Sequence, residues 1–245
     1  MPIRFRNRIF APSLLATLLM LAVLAGFVSL GFWQLGRATE KQTLLAQFAS
    51  GGMQTFELTV SNAMELARYQ QVRATGRYAP ERQILLDNMP GRSGAPGYHV
   101  LTPFELDDGG LLLVDRGWVP LGRDRATLPT IGVASMPRQI VGLIDELPRP
   151  AMRLGEPEPD TGSWPRVLNF PEHVTLKTLY GERLLRPILL LDPGAEDGFE
   201  RAWEARFGFG PERHVGYAVQ WFALGLTLLV IYAVVSFKKS PATSR

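Results

Sequence analysis

Four residues near the C-terminal end of the chain, His214, Tyr217, Trp221 and Leu224, have the spacing of one helical face. Positions i, i+3, i+7 and i+10 follow the same side of an α-helix. An imidazole above such an aromatic and apolar stripe could ligate the iron of a lipophilic porphyrin. A histidine that only hydrogen-bonds to water or to a neighbouring domain fits the same pattern, and the spacing alone favours that second interpretation.

Polar and aromatic residues at the ends of two apolar segments form a second group of candidates. Gln220 lies about 9 Å inside the C-terminal apolar segment by helical rise. An amide at that depth in a bilayer is costly unless it faces a partner helix or a ligand, and Gln34 of the other segment is a candidate partner. Trp33 and Tyr217 lie three residues inside their segments, where the aromatic belt of any membrane hairpin would also place them.

Other catalytic and metal chemistries have no support in the sequence. The absence of cysteine excludes thiolate metal sites and disulfides, and the seven methionines show no clustered spacing for copper. Neither a P-loop, nor a zinc-protease motif, nor a G-x-S-x-G motif is present. A triad of His99, Asp115 and a serine can be drawn, but His99 alternates with apolar neighbours like a structural histidine on a strand. We therefore predict that the protein is not an enzyme.

Two long uncharged segments must position the candidate residues, 28 residues over 9–36 and 23 over 215–237. About 20 apolar residues span a bilayer as a helix. A cleavable signal peptide is the alternative for the first segment, but the uncharged run of this segment is longer than the apolar part of a signal peptide. A buried core helix is the alternative for the second. We predict a cytoplasmic tail (1–8), a transmembrane helix (9–36), an extracytoplasmic domain (37–213), a second transmembrane helix (214–237) and a cytoplasmic tail (238–245).

Charge is distributed unevenly along the chain. All 23 acidic residues lie between Glu40 and Glu212, which gives residues 37–213 a net charge of −3. All charged residues of the two tails are basic. The positive-inside rule therefore predicts that both tails lie in the cytoplasm and the domain in the periplasm. A mildly acidic domain argues against nucleic-acid binding. Because eight residues before the first span are too few for a mitochondrial presequence, we predict the bacterial inner membrane.

Between the spans the pattern is mostly that of short strands. Apolar runs bounded by Gly, Pro, Asn or Asp predict strands over 83–86, 98–102, 111–114, 139–144 and 187–191, with a hairpin turn at 107–110. A helix continues from the first span through 40–49, and another covers 171–180. The proline-rich stretch 147–165 is predicted as a loop. We expect a mainly antiparallel β (α+β) domain, a small barrel or sandwich.

Five blocks of the sequence resemble the Surfeit locus protein 1 family, in that family's order and with its two-span layout. The resemblance covers essentially the whole chain, although residues 147–165 have no match. The blocks are Trp33-Gln34-Leu35 with Arg37 and Lys41; Gly76 to Tyr78; Gly97-Tyr98 through Thr102-Pro103; Val114-Asp115-Arg116-Gly117-Trp118-Val119-Pro120; and His214, Tyr217 and Gln220-Trp221.

This resemblance implies an assembly factor for haem–copper cytochrome c oxidase that assists the delivery of haem a to the catalytic subunit. The implied partners are that subunit, haem a synthase and membrane lipid. His214 is implied as a transient axial ligand of haem a. The other residues implied to contact haem are Tyr217, Gln220, Trp221, Trp33 and Gln34.

A stabilising or partner-docking role is expected for Arg37 and for the block Asp115-Arg116-Gly117-Trp118. Asp115 and Arg116 can pair while Trp118 packs beneath them, and Gly117 permits a tight backbone. If these residues rather than His214 carried the function, the protein would be a membrane scaffold. Such a scaffold would stabilise oxidase assembly intermediates and never bind haem.

Overall fold

The computed structural model describes residues 4–5, 8–87, 89, 91, 94–122, 125, 127–148, 162–205 and 209–239. The chain divides into two compact units, Met1–Thr43 with Phe207–Arg245, and Leu44–Arg206.

The first unit is built on two long helices, α1 (Leu14–Ser50), which continues into the second unit after Thr43, and α3 (Pro211–Ser236). The side-chain hydroxyl of Ser13 accepts the Ala16 N–H at 3.2 Å and so caps the start of α1. Pro211 opens α3, where its missing N–H costs no hydrogen bond. Strands β1 (Arg4–Phe5), β2 (Arg8–Phe10) and β11 (Phe237–Lys239) form a small antiparallel sheet.

The two helices pack along a seam of small residues, since Gly31, Ala38, Ala218 and Gly225 are buried. Small side chains allow two helices to approach closely. Both helices are long and apolar enough to cross a membrane, and only 6% and 11% of their most apolar windows are buried.

The second unit is a small barrel. Its strands are β3 (Thr55–Glu57), β4 (Gln71–Tyr78), β5 (Ile84–Leu86), β6 (Gly97–Leu106), β7 (Leu111–Pro120), β8 (Arg138–Asp145), β9 (Arg166–Leu168) and β10 (Leu184–Leu191). Strands β4, β8, β10, β7 and β6 pair in that order, and β6 pairs back to β4 to close the ring. Only the β10–β7 pair within this ring is parallel. The closing contact needs Gly76, because a Cβ there would lie 2.0 Å from the Glu105 carbonyl oxygen.

Three clusters of buried apolar side chains stabilise the barrel, the smallest of them around Tyr98 and Val119. One cluster of buried side chains, including Val72, Phe104 and Leu189, holds β4, β6, β8 and β10 together. A second cluster packs against the short helix α2 (His173–Tyr180) through Leu176 and Tyr180. Gly181, at a φ of +87°, ends α2 with a backbone hydrogen bond to Lys177.

The five predicted strands, the hairpin turn at 107–110 and the continuation of the first helix are confirmed, with different bounds. The first predicted strand begins at Ile84, and α2 begins at His173 rather than at residue 171. The sequence analysis missed β4, because its inward positions include Ala74 and Gly76, which leave no apolar run. Residues 149–161 of the predicted loop lie outside the described residues.

Candidate functional site

His214 lies in the first turns of α3 and is half-buried in the seam between the two helices. Its Nδ1 is 2.7 Å from Oε1 of Gln34 on α1. An amide oxygen can only accept, so Nδ1 donates, and in the neutral form of this imidazole Nε2 is the nitrogen with the lone pair. Among the described residues no hydrogen bond reaches Nε2, which leaves that nitrogen available as a ligand.

The aromatic candidates on the two helices differ in burial. Trp221 is half-buried, and its ring packs against Phe27 with ring centroids 5.8 Å apart. Tyr217 and Trp33 are 42% and 57% exposed. The structure therefore brings His214, Gln34 and Trp221 into the seam and leaves the other two on the outer surface of the helix pair.

The candidate pairing of Gln220 with Gln34 does not form in the structure. The Gln34 side-chain oxygen is engaged by His214, and the Gln220 side chain is exposed. Gln220 lies six positions after His214 on the helix, which places the two side chains about 120° apart around the helix axis. Gln220 thus faces away from the seam.

Arg37, on the N-terminal helix, has an ordinary surface partner. Its guanidinium forms an ion pair with Glu40 at 2.6 Å, and both side chains are more than 40% exposed. Exposed pairs of this spacing contribute at most about 0.5 kcal/mol. The structure gives Arg37 no buried role in the described residues.

The block Asp115-Arg116-Gly117-Trp118, in the barrel unit, is organised differently from the sequence prediction. Asp115 does not pair with Arg116, because successive side chains of a strand point to opposite faces. Asp115 is fully buried, and both its carboxylate oxygens lie within 3.0 Å of Nδ1 of His99 on the neighbouring strand. Trp118 lies opposite His99 in the strand register and donates from Nε1 to the Met89 carbonyl at 2.8 Å.

Arg116 is a buried cation whose partners are neutral groups. Its guanidinium donates to the carbonyl oxygens of Asp197 (2.7 Å), Ile131 (2.9 Å) and Gly132 (3.2 Å), and to the side chain of Gln83 (3.1 Å). Burial lowers the pKa of Arg116 from its ordinary value. With 2% of its surface exposed, Arg116 is not available for partner docking in this conformation.

Arg116 and its neighbours hold one segment of chain, residues 192–203, which we call the strap. Backbone hydrogen bonds join Phe199 to Arg116, and join Glu200 and Trp118 to each other in both directions. Gly117, at a φ of +108°, makes this approach possible, because a Cβ there would lie 2.6 Å from the Glu200 carbonyl oxygen.

Ion pairing and aromatic packing complete the attachment of the strap. Asp197 pairs with Arg138, and Trp203 donates from its indole to the Leu191 carbonyl at 2.7 Å. The ring of Tyr78 lies against both Arg116 and Arg138, and burial raises the pKa of Tyr78 to about 12. The strap is the last described part of the barrel unit but for residues 204 and 205, so these contacts attach the C-terminal segment of that unit to the barrel.

The remaining histidine, His173, begins α2 and is half-buried. Its Nε2 lies 3.3 Å from the Leu185 carbonyl oxygen. Sequence reasoning missed the strap entirely, since residues 192–203 have neither an apolar period nor a motif. It also set aside the His99–Asp115 pair, whose members are 16 residues apart and meet only through strand pairing.

The sequence matches a known protein family. A model of the SURF1 family matches residues 21–226, most of the chain. The chain belongs to the SURF1 family. Members of this family are generally known as oxidase assembly factors, and the family is non-catalytic.

Relatives of this SURF1 family member occur in bacteria and in a eukaryote. A SURF1-like protein of Rickettsia bellii is 28% identical over 225 residues, 87% of this chain and 86% of that protein. A SURF1-like protein of Rickettsia felis is 26% identical over 89% of this chain and 95% of its own length. A SURF1-like protein of Monosiga brevicollis is 23% identical over 83% and 80%.

Proposed function

We propose that the protein is a membrane-anchored assembly factor for haem–copper cytochrome c oxidase that holds haem a at His214. Its partners would be the catalytic subunit of that oxidase and haem a synthase. Membership of the SURF1 family supports the assembly role. The observation that carries the haem proposal is the hydrogen bond between His214 and Gln34.

The proposed topology has both short tails in the bacterial cytoplasm and the barrel in the periplasm. The two exposed apolar helices support it, as do the basic tails. In this arrangement the spans are 9–36 and 214–237, with residues 37–213 outside the cytoplasm.

The residues around His214 fit a haem iron. Gln34 holds the imidazole in one tautomer and orientation, which is the usual arrangement of a histidine ligand. Trp221 gives an apolar surface on the same helical face about 10 Å further along α3, and Tyr217 and Trp33 are exposed near the same end of the helices. Haem a would supply the redox-active iron that the oxidase requires, while His214 would hold it through Nε2.

A single imidazole ligand also suits transfer. One nitrogen can be exchanged for a ligand of the acceptor protein, whereas a closed site with two protein ligands would retain its cargo. Gln34 would keep His214 in place after release, because its hydrogen bond uses Nδ1 and not the liganding nitrogen.

Purification from cells that make haem a tests this proposal. We expect wild-type protein to copurify with haem a, seen as a histidine-ligated optical spectrum, and His214→Ala to lose at least nine-tenths of it. His173→Ala is the matched control and should retain haem. Equal haem in wild type and His214→Ala would overturn the proposed site.

The scaffold hypothesis is separated by oxidase activity in the same strains. A scaffold that never binds haem predicts normal oxidase with His214→Ala and reduced oxidase when Asp115, Arg116 or Trp118 is replaced. The haem proposal predicts reduced oxidase with His214→Ala as well.

Replacement of Gln34 tests the hydrogen bond itself. We expect Gln34→Leu to weaken haem binding by about 10- to 100-fold, because the imidazole loses the group that orients it. Gln34→Glu keeps an acceptor and should retain binding. Titration with haem, followed optically, measures both. Unchanged affinity in Gln34→Leu would show that the hydrogen bond does not prepare the site.

A further inference from the structure

The small sheet of the first unit brings together the segment before α1 and the segment after α3. Its central strand, β2, pairs antiparallel with β1 on one side and with β11 on the other. Phe10 of β2 is opposite Phe237 of β11, with ring centroids 5.3 Å apart, and its ring also lies 6.4 Å from that of Tyr232 on α3. The sheet is therefore attached by aromatic contacts to the end of an apolar helix.

The register of this sheet places basic residues next to one another. Arg8 is directly opposite Lys239, and Ile9 stands between Arg4 and Lys238, of which Lys238 is exposed. Like charges at directly opposite positions of two antiparallel strands destabilise the pairing. The pairing of β2 with β11 therefore requires an anion close to Arg8 and Lys239.

The chain supplies no such anion near the sheet. No Asp or Glu stands before Glu40 or after Glu212 in the sequence. These two residues lie about 40 Å from the sheet ends of α1 and α3 by helical rise. In the proposed topology the barrel, with the other acidic residues, is on the opposite side of the membrane. The counter-charge must then come from outside the protein.

The position of the sheet relative to the helix ends fits a lipid headgroup. Aromatic side chains at the end of a membrane-spanning helix lie at the membrane–water interface, which is where Phe10, Phe237 and Tyr232 would be. Arg8 and Lys239 are two strand positions further out, about 7 Å. The polar headgroup layer of a bilayer has about that thickness. Basic residues beside a membrane span are attracted to the anionic headgroups of that layer.

We propose that the sheet formed by β2 and β11 is a binding site for the anionic headgroup of a membrane phospholipid, which supplies the counter-charge for Arg8 and Lys239. This inference rests on the proposed topology and is independent of haem binding at His214. With a bound headgroup the two strands stay paired and join the ends of α1 and α3. In a bilayer without anionic lipid the strands separate.

A disulfide reporter measures this pairing, since the natural sequence has no cysteine. Ile9 and Lys238 are directly opposite each other, and residues paired in this way are within reach of a disulfide. The full-length variant Ile9→Cys/Lys238→Cys is reconstituted in nanodiscs of phosphatidylcholine, either alone or mixed with phosphatidylglycerol. We expect its disulfide to form about threefold faster, or more, when phosphatidylglycerol is present.

Two further variants in the same background locate the effect. Arg8→Gln/Lys239→Gln removes the repulsion, so the disulfide should form at the same rate in both lipid compositions. That rate should be close to the rate of the reporter protein with phosphatidylglycerol. Arg73→Gln/Arg186→Gln is the matched control, because it replaces two exposed arginines of the barrel and should leave the lipid dependence intact.

The outcomes decide both the site and the source of the anion. Equal rates for the reporter protein in the two lipid compositions would overturn the inference. So would a lipid dependence that persists in Arg8→Gln/Lys239→Gln. Inorganic phosphate, added to phosphatidylcholine nanodiscs at the same phosphate concentration, should not replace the anionic lipid, and full replacement would contradict a lipid site.

The topology is tested separately, with a single cysteine. We expect Lys238→Cys to resist a membrane-impermeant thiol reagent in intact cells and to react after the cells are opened. Labelling in intact cells, together with lipid-dependent disulfide formation in nanodiscs, would support the headgroup site and contradict the proposed topology.

Discussion

Arg116→Met is expected to lower the free energy of unfolding of the barrel unit by about 3–5 kcal/mol, since it leaves several buried carbonyl oxygens without donors. The guanidinium joins three separate parts of the chain, at Gln83, at Ile131–Gly132 and at Asp197 in the strap. Methionine fills part of the volume but donates no hydrogen bond. Urea unfolding of the full-length protein in detergent, followed by tryptophan fluorescence, measures the loss.

Arg73→Met is the matched control for this prediction. Arg73 lies on the same barrel, on the exposed side of β4. We expect that change to stay within about 0.5 kcal/mol, as surface substitutions usually do. A loss below about 1 kcal/mol in Arg116→Met would contradict the view that Arg116 holds the strap, because even one unsatisfied buried acceptor costs that much.

Gly117→Val is expected to cost at least about 3 kcal/mol through two separate effects, backbone strain and a steric clash. A φ of +108° is unfavourable for a β-branched residue, and the new Cβ would lie 2.6 Å from the Glu200 carbonyl oxygen. The strap must then separate from β7. Limited proteolysis near residue 200 should become faster, and the urea midpoint should fall.

Gly109→Val separates the two effects. Gly109 has a φ of +96° in the hairpin turn, but a Cβ at this position would have no atom within 4 Å of it. That variant therefore reports backbone strain alone, and we expect it to be less destabilised than Gly117→Val. If both variants lose the same stability, the close approach of Glu200 is not a significant constraint.

Most of the long helices and strands could be predicted from the sequence. The two uncharged segments predict two long helices, because no other element needs more than about 20 apolar residues in succession. Short apolar runs between turn residues locate five strands, and the closed barrel is among the expected architectures. Strands whose inward residues are small, such as β4, give no such signal.

The candidate residues were identified by type and spacing, but their partners were not. Spacing on one helix correctly groups His214 with Trp221, since helical period is a local property. It cannot choose between Gln34 and other residues as the partner of His214, because that choice depends on how two distant helices align.

The sequence by itself determined the two apolar helices, the β-rich character of the domain and the family blocks, which all follow from local composition and period. Only the tertiary structure decided that Asp115 contacts His99, that Arg116 holds the strap, and that Gln220 faces away from Gln34. The physical reason is that strand register and helix alignment bring together residues far apart in the chain. Those contacts depend on the packing of the whole unit rather than on any local segment.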